Sequence, residues 1–194
     1  MRELPDVTPE YLEILVVREL RKAGLEVSEV RRHRRIEPPD GGAGFLLELV
    51  ALLSQKAWRR RALITCLRQA APVNDAAVRE AGERTGSAGA EVALLWAAGD
   101  LDPGAIAAAE AAGVGLVRVV DARTAFDLGG WGTPGQYPSW LPAHVAQVVS
   151  RDSAGRPRYE LLEAGRAELI VTRLKDQTER RTEGGSHARP DPGA

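Results

Sequence analysis

One cysteine, one methionine and three histidines are all that this 194-residue chain offers as soft or imidazole ligands. A lone thiol, Cys66, excludes an intramolecular disulfide framework and fits a reducing compartment. His33, His144 and His187 fall in three separate segments, which argues against both a zinc site and a Cys–His nucleophile pair. No stretch reaches the roughly 20 apolar residues that a membrane span needs. The segment from Met1 to Asp6 is polar, unlike a secretory leader. The expectation is a soluble cytoplasmic protein with no membrane partner. Net charge is −1, so no overall field draws the chain to a polyanion.

What charge there is, is unevenly placed. Residues 1–70 hold 13 Lys/Arg against 10 Asp/Glu, while residues 71–130 hold 4 against 9. The basic residues gather in Arg31, Arg32, His33, Arg34 and Arg35, and again in Arg59, Arg60 and Arg61. Such clusters bind backbone phosphate by releasing counterions, or they are simply solvated surface. Trp58, beside Arg59, is read either as a stacking platform for a base or as packing on a hairpin.

Apolar periodicity orders the chain. Thr8-Pro9-Glu10 caps a first helix that closes at Gly24, with Tyr11, Leu12, Leu15, Val16 and Leu20 on its inner face. A weaker strand runs from Glu26 to Arg32, and Pro38-Pro39-Asp40-Gly41-Gly42 is a turn. Phe45–Leu53 and Ala62–Arg68 are strands buried on both faces, joined through the basic connector Lys56–Arg61. Asn74-Asp75 then starts a helix, Glu91–Trp96 is a strand, Asp102-Pro103 opens an alanine-rich helix, and Val114–Val120 leads into a short helix capped by Asp121. The order α-β-β-β-α-β-α-β-α predicts an α/β domain with a mixed sheet and helices on both faces, over residues 1–128. Residues 129–175 form an extension containing Trp131, Tyr137 and Trp140. It carries a candidate hairpin, Val145–Val149 with Arg158–Leu162, and a candidate strand, Leu169–Leu174. Residues 176–194 have the composition of a disordered tail.

Glu48 is the one carboxylate in the first apolar strand, and Arg68 ends the second. A buried acid must be paired, hydrogen-bonded or neutral. The hairpin puts Arg68 on the neighbouring strand, so the two are expected within reach of each other, as a catalytic pair or as a structural ion pair.

With Tyr11-Leu12-Glu13 on the first helix, Gly41-Gly42-Ala43-Gly44 before Leu47-Glu48-Leu49-Val50-Ala51, and Cys66-Leu67-Arg68 on the next strand, the chain resembles the Mrr-type branch of the restriction-endonuclease-like, PD-(D/E)xK, nucleases. The resemblance covers about residues 8–128. It implies a restriction-endonuclease-like fold, DNA as partner, a role in DNA defence or maintenance, and Glu48, Glu13 and Arg68 at the catalytic position. Glu48 would be the ligand for magnesium, if the site is active. The departures are Glu for the usual Asp, Cys66 for glutamine and Arg68 for lysine. A guanidinium stays protonated and cannot serve as a base, although it can hold phosphate. A thiol is a poor neighbour for a hard cation.

Three readings follow: a DNA-engaging domain with an impaired site, a divergent magnesium-dependent endonuclease, and a non-catalytic protein-interaction module. The first is preferred. Arg31, Arg32, Arg34, Arg35, Arg59, Arg60, Arg61 and Trp58 are its candidate DNA contacts. The third would use the aromatic segment after Gly129 to hold a protein partner or a second copy.

Overall fold

The computed structural model describes residues 6–37 and 44–174, so the Pro38–Ala43 turn and the expected tail lie outside the described residues. The elements run α1 (Pro9–Lys22), β1 (Glu26–Ile36), β2 (Phe45–Gln55), β3 (Trp58–Arg68), α2 (Asp75–Ser87), β4 (Val92–Ala98), α3 (Pro103–Ala112), β5 (Val114–Asp121), α4 (Ala122–Gly129), β6 (His144–Arg151) and β7 (Pro157–Leu161). Through α4 this is the order that the apolar periodicity predicts. Local chemistry marks each helix start. The Thr8 hydroxyl accepts from the Tyr11 amide at 3.1 Å, Asn74 Oδ1 accepts from Ala77, and Asp121 Oδ1 accepts from Thr124.

The strands form a single seven-stranded sheet in sequence order. β1, β2 and β3 are antiparallel neighbours; β4 and β5 continue parallel to β3; β6 and β7 return antiparallel. The parallel steps need crossovers, and α2 and α3 supply them. Those two helices share one apolar cluster, with Val78, Ala81, Ile106 and Ala109 against Leu95 and Leu116. The opposite side is a larger cluster in which Leu12, Leu15 and Leu20 of α1 meet Leu47, Leu49, Ile64 and Trp96. Alternate residues along each strand therefore face either the α1 side or the α2 side.

The segment Leu169–Leu174, expected as a strand, is helical, with helix over residues 168–174. Ile170, Val171 and Leu174 join the α1-side cluster, a spacing that one helical face satisfies and a strand does not. The hairpin after Gly129 is present as β6–β7, and it adds to the edge of the core sheet through β5.

Two further expectations change at the β1–β3 end. The connector between β2 and β3 is only Lys56-Ala57, with Lys56 at φ +54°, so Trp58 to Arg61 belong to β3 itself. The weak strand Glu26–Arg32 extends to Ile36, carrying His33 and the arginines with it. It is irregular between Ser28 and Arg31 and between Arg32 and Arg34. Bulges of this kind interrupt the regular pairing of an exposed edge strand.

Candidate functional site

The pleat decides where the candidate residues point. β2 and β3 pair without interruption from Phe45↔Arg68 to Gln55↔Trp58, and in that register Glu48 stands opposite Thr65. Leu47, Leu49 and Cys66 belong to the α1-side cluster. Arg68, two residues from Cys66, shares its face, whereas Glu48 turns to the α2 side. The expected partnership of Glu48 with Arg68 is thus corrected: an odd offset in the register places them on opposite faces of the sheet.

Glu48 is fully buried, and its partner is a residue that sequence reasoning missed. Arg84 of α2 donates from Nε to Glu48 Oε1 at 2.6 Å and from an Nη to Oε2 at 2.7 Å. The bidentate fork takes both carboxylate oxygens. The Arg84 side chain keeps 27% of its surface exposed, and the Glu48 carboxylate beside it raises the guanidinium's pKa. An ion pair of this depth gains little net stability, because desolvation offsets much of the attraction. Its effect is to fix α2 against β2. The signal in the sequence was faint: Arg84 lies three residues beyond Ala81, on the small-residue face that packs on the sheet.

On the α1 side, Glu13 accepts from Arg32 at 2.7 Å, and its charge also reaches Cys66. Burial first, and then Glu13, push the Cys66 thiol far above its ordinary range, so it is an inert core group. Arg68 is half-buried at the end of β3, opposite Phe45. The candidate catalytic residues are therefore divided, with Glu13 and Arg68 on one face and Glu48 on the other.

Magnesium requires several oxygen ligands in a tight octahedron. Both oxygens of Glu48 are engaged by a cation, and Glu13 is paired with the Arg32 guanidinium. Among the described residues no group of three His, Cys, Asp or Glu side chains is placed to hold a metal. The described residues do not fit that ion.

The basic clusters are divided by the same pleat. Arg32 and Arg35 stand opposite Leu49 and Leu47 and reach α1, where Arg32 meets Glu13 and Arg35 meets Glu10 as well as Glu37. Glu10 is held below the usual carboxylate range chiefly by its hydrogen bond from Arg35. Arg31 and Arg34 stand opposite Val50 and Glu48, on the α2 side. On β3, Arg60 lies 3.8 Å from Glu91, Arg61 bonds Glu29 at 2.9 Å, and Arg59 projects into solvent. Trp58 is only 8% exposed and packs into the α1-side cluster, which corrects its reading as a stacking platform.

A separate cleft of about 960 Å³ opens at the carboxyl ends of β4 and β5, with Asp100, Arg118, Arg123, Tyr137 and His144 in its walls. Several of its polar groups already have partners. Arg118 donates to Gly99 O and Asp100, and the Tyr137 hydroxyl donates to Asp127 at 2.7 Å, while Arg123 lies over the Tyr137 ring. Trp131 and Tyr137 both pack edge-on against Phe126, whereas Trp140 is 73% exposed.

An α/β sheet that opens with an antiparallel hairpin, continues as βαβαβ and carries helices on both faces is a restriction-endonuclease-like domain. The family model described as restriction endonuclease (Mrr_cat) matches residues 4–125. This chain belongs to that restriction endonuclease family. No curated protein and no solved structure matches it.

Proposed function

We propose that this chain engages DNA through a restriction-endonuclease-like domain whose nuclease site is impaired, in a DNA defence or maintenance role. The observation that carries this reading is the Glu48–Arg84 fork. The acid at the family's acidic position is buried and turned toward α2, with both oxygens bound. Arg68 stands where the resemblance calls for lysine, and a guanidinium supplies no base. It keeps the capacity to hold a phosphate oxygen as a fixed cation. DNA is the partner that family membership implies, and the arginines of β1 and β3 provide the charge.

Supercoiled plasmid incubated with the purified protein and magnesium or manganese tests the catalytic half, and a gel shift over a salt series tests the other. The expected result is a shift that weakens steadily with salt, without nicking above the metal-free control. Metal-dependent cleavage that disappears in Glu48→Ala would overturn the impaired-site reading; cleavage that survives it belongs to another site or another protein.

A further inference from the structure

The pleat that separates Glu48 from Arg68 also divides the arginines of β1 and β3 between the two faces. On the α1 side, Arg32, Arg35 and Arg60 each have an acid: Glu13, Glu10 with Glu37, and Glu91. On the α2 side Arg61 is paired with Glu29, whereas Arg31, Arg34 and Arg59 have no ion-pair partner among the described residues. Three acids of that face are engaged. Glu26 accepts from the Ser54 hydroxyl, Glu29 binds Arg61, and Glu48 is held by Arg84. Helix α2 packs mainly on β3, β4 and β5, and it reaches β2 through Arg84.

Resting on the DNA-engaging reading above, we propose that the phosphate backbone of DNA docks on the α2-facing side of the β1–β3 edge, held by Arg31, Arg34 and Arg59. The α1-facing arginines are internal ion pairs that take no part. The register gives the spacing. Arg31 stands opposite Val50 and Arg34 opposite Glu48, two residues apart on β2; at about 3.3 Å per residue that is roughly 7 Å between the two backbone positions. Arg59 stands opposite Ser54, four residues from Val50. With strands about 4.8 Å apart, it lies roughly 16 Å from Arg31 on a diagonal across three strands. The footprint is a short oblique stripe that a few consecutive phosphates cover. It contains no exposed aromatic, since Trp58 points to the other face. Contacts of charge to phosphate alone carry no sequence information, so the docking is indifferent to base sequence.

The test uses the full chain and a fluorescein-labelled 30-base-pair duplex, with anisotropy measured across a sodium chloride series. Two triple variants are compared, Arg31→Ala/Arg34→Ala/Arg59→Ala and Arg32→Ala/Arg35→Ala/Arg60→Ala, each checked by circular dichroism. The first is expected to lose at least about tenfold in affinity and to flatten the log–log salt slope by about 2 to 3, at about 0.9 per phosphate contact. The second is expected to keep the wild-type slope. Arg31→Lys/Arg34→Lys/Arg59→Lys should keep most of the slope, because a phosphate contact needs charge more than geometry. Equal losses in both alanine triples, or an unchanged first triple, overturn the face assignment while leaving DNA engagement intact. If the wild-type chain fails to bind the duplex even at low salt, the DNA reading itself fails, and this proposal with it. The same holds if the chain binds only vesicles containing phosphatidylserine.

Discussion

The two faces of the β1–β3 half of the sheet have similar compositions and opposite arrangements. Both hold apolar residues, acids and arginines at alternating positions. On the α1 face the acids sit on a helix and at the surface, where Glu13 neutralises Arg32, and Glu10 and Glu37 together neutralise Arg35. On the α2 face Glu48 sits inside the sheet and is clamped by a helix arginine, and Glu29 holds Arg61, which leaves Arg31, Arg34 and Arg59 without an ion-pair partner among the described residues. The same residue types thus give a self-cancelling surface on one side and, on the other, a buried pin with a residual basic stripe. Counting charges along the chain does not show this difference, because the parity of the pleat creates it.

Unequal acids give the largest predicted contrast. Glu48→Ala strands Arg84 against the sheet and opens a cavity, and it should cost about 3 kcal/mol, the lower end for breaking a buried pair, because Arg84 can partly reach water. Glu13→Ala removes a half-exposed pair and should change stability by less than about 1 kcal/mol. Urea denaturation measures both, and equal values would break the comparison between faces. The double variant Glu48→Leu/Arg84→Leu sharpens it: with both charges gone, stability should return to within about 1 kcal/mol of wild type.

A smaller effect belongs to the α1 face at the far strand. His144, on β6, packs against the Tyr11 ring, with its Nδ1 3.4 Å from the Tyr11 hydroxyl. Burial lowers its pKa, against the attraction of Asp121 and Asp6, while Arg18 adds to the lowering. The unfolded chain therefore takes up the proton first. The contribution to stability is complete above the ordinary imidazole value of about 6.5 and is lost as pH falls toward the lower folded value. An NMR titration of His144 should give a midpoint below about 6.5, and stability should decline between neutral pH and pH 5. A midpoint above the ordinary value would mean that the carboxylates, not burial, dominate this site. The smallest expected effect is that of Trp58→Phe on DNA affinity. An indole packed among core residues should give no change, whereas a stacking residue would cost about 1–3 kcal/mol when removed.

Much of the fold was legible because the buried strands and capped helices announce themselves locally. Phe45–Leu53, Ala62–Leu67 and Glu91–Trp96 have too many apolar residues for any exposed role, and Thr8-Pro9 and Asp102-Pro103 can hardly begin anything but helices. The full length of β1 was hidden, because an edge strand of arginines interrupted by bulges has no apolar alternation to read. The segment Leu169–Leu174, expected as a strand, contains the β-branched pair Ile170-Val171, and burial in the α1-side cluster overrides that local preference. At the candidate site, Glu48 was found and its partner was not. Arg84 lies 36 residues away on a helix, where it resembles any solvated arginine. The turn at Lys56-Ala57 held the missing information. Counting back from Gln55↔Trp58 puts Thr65 opposite Glu48 and leaves Arg68 on the other face.

If the separation of Glu48 from Arg68 underlies the proposed impairment, restoring the lysine that the resemblance calls for should not restore activity. Plasmid cleavage by Arg68→Lys in magnesium or manganese is the direct measurement. The prediction is no nicking above the metal-free control, with DNA binding retained. Metal-dependent cleavage that appears in Arg68→Lys and vanishes in Arg68→Lys/Glu48→Gln would show acid and lysine acting at one site, and would contradict the division of the sheet described above.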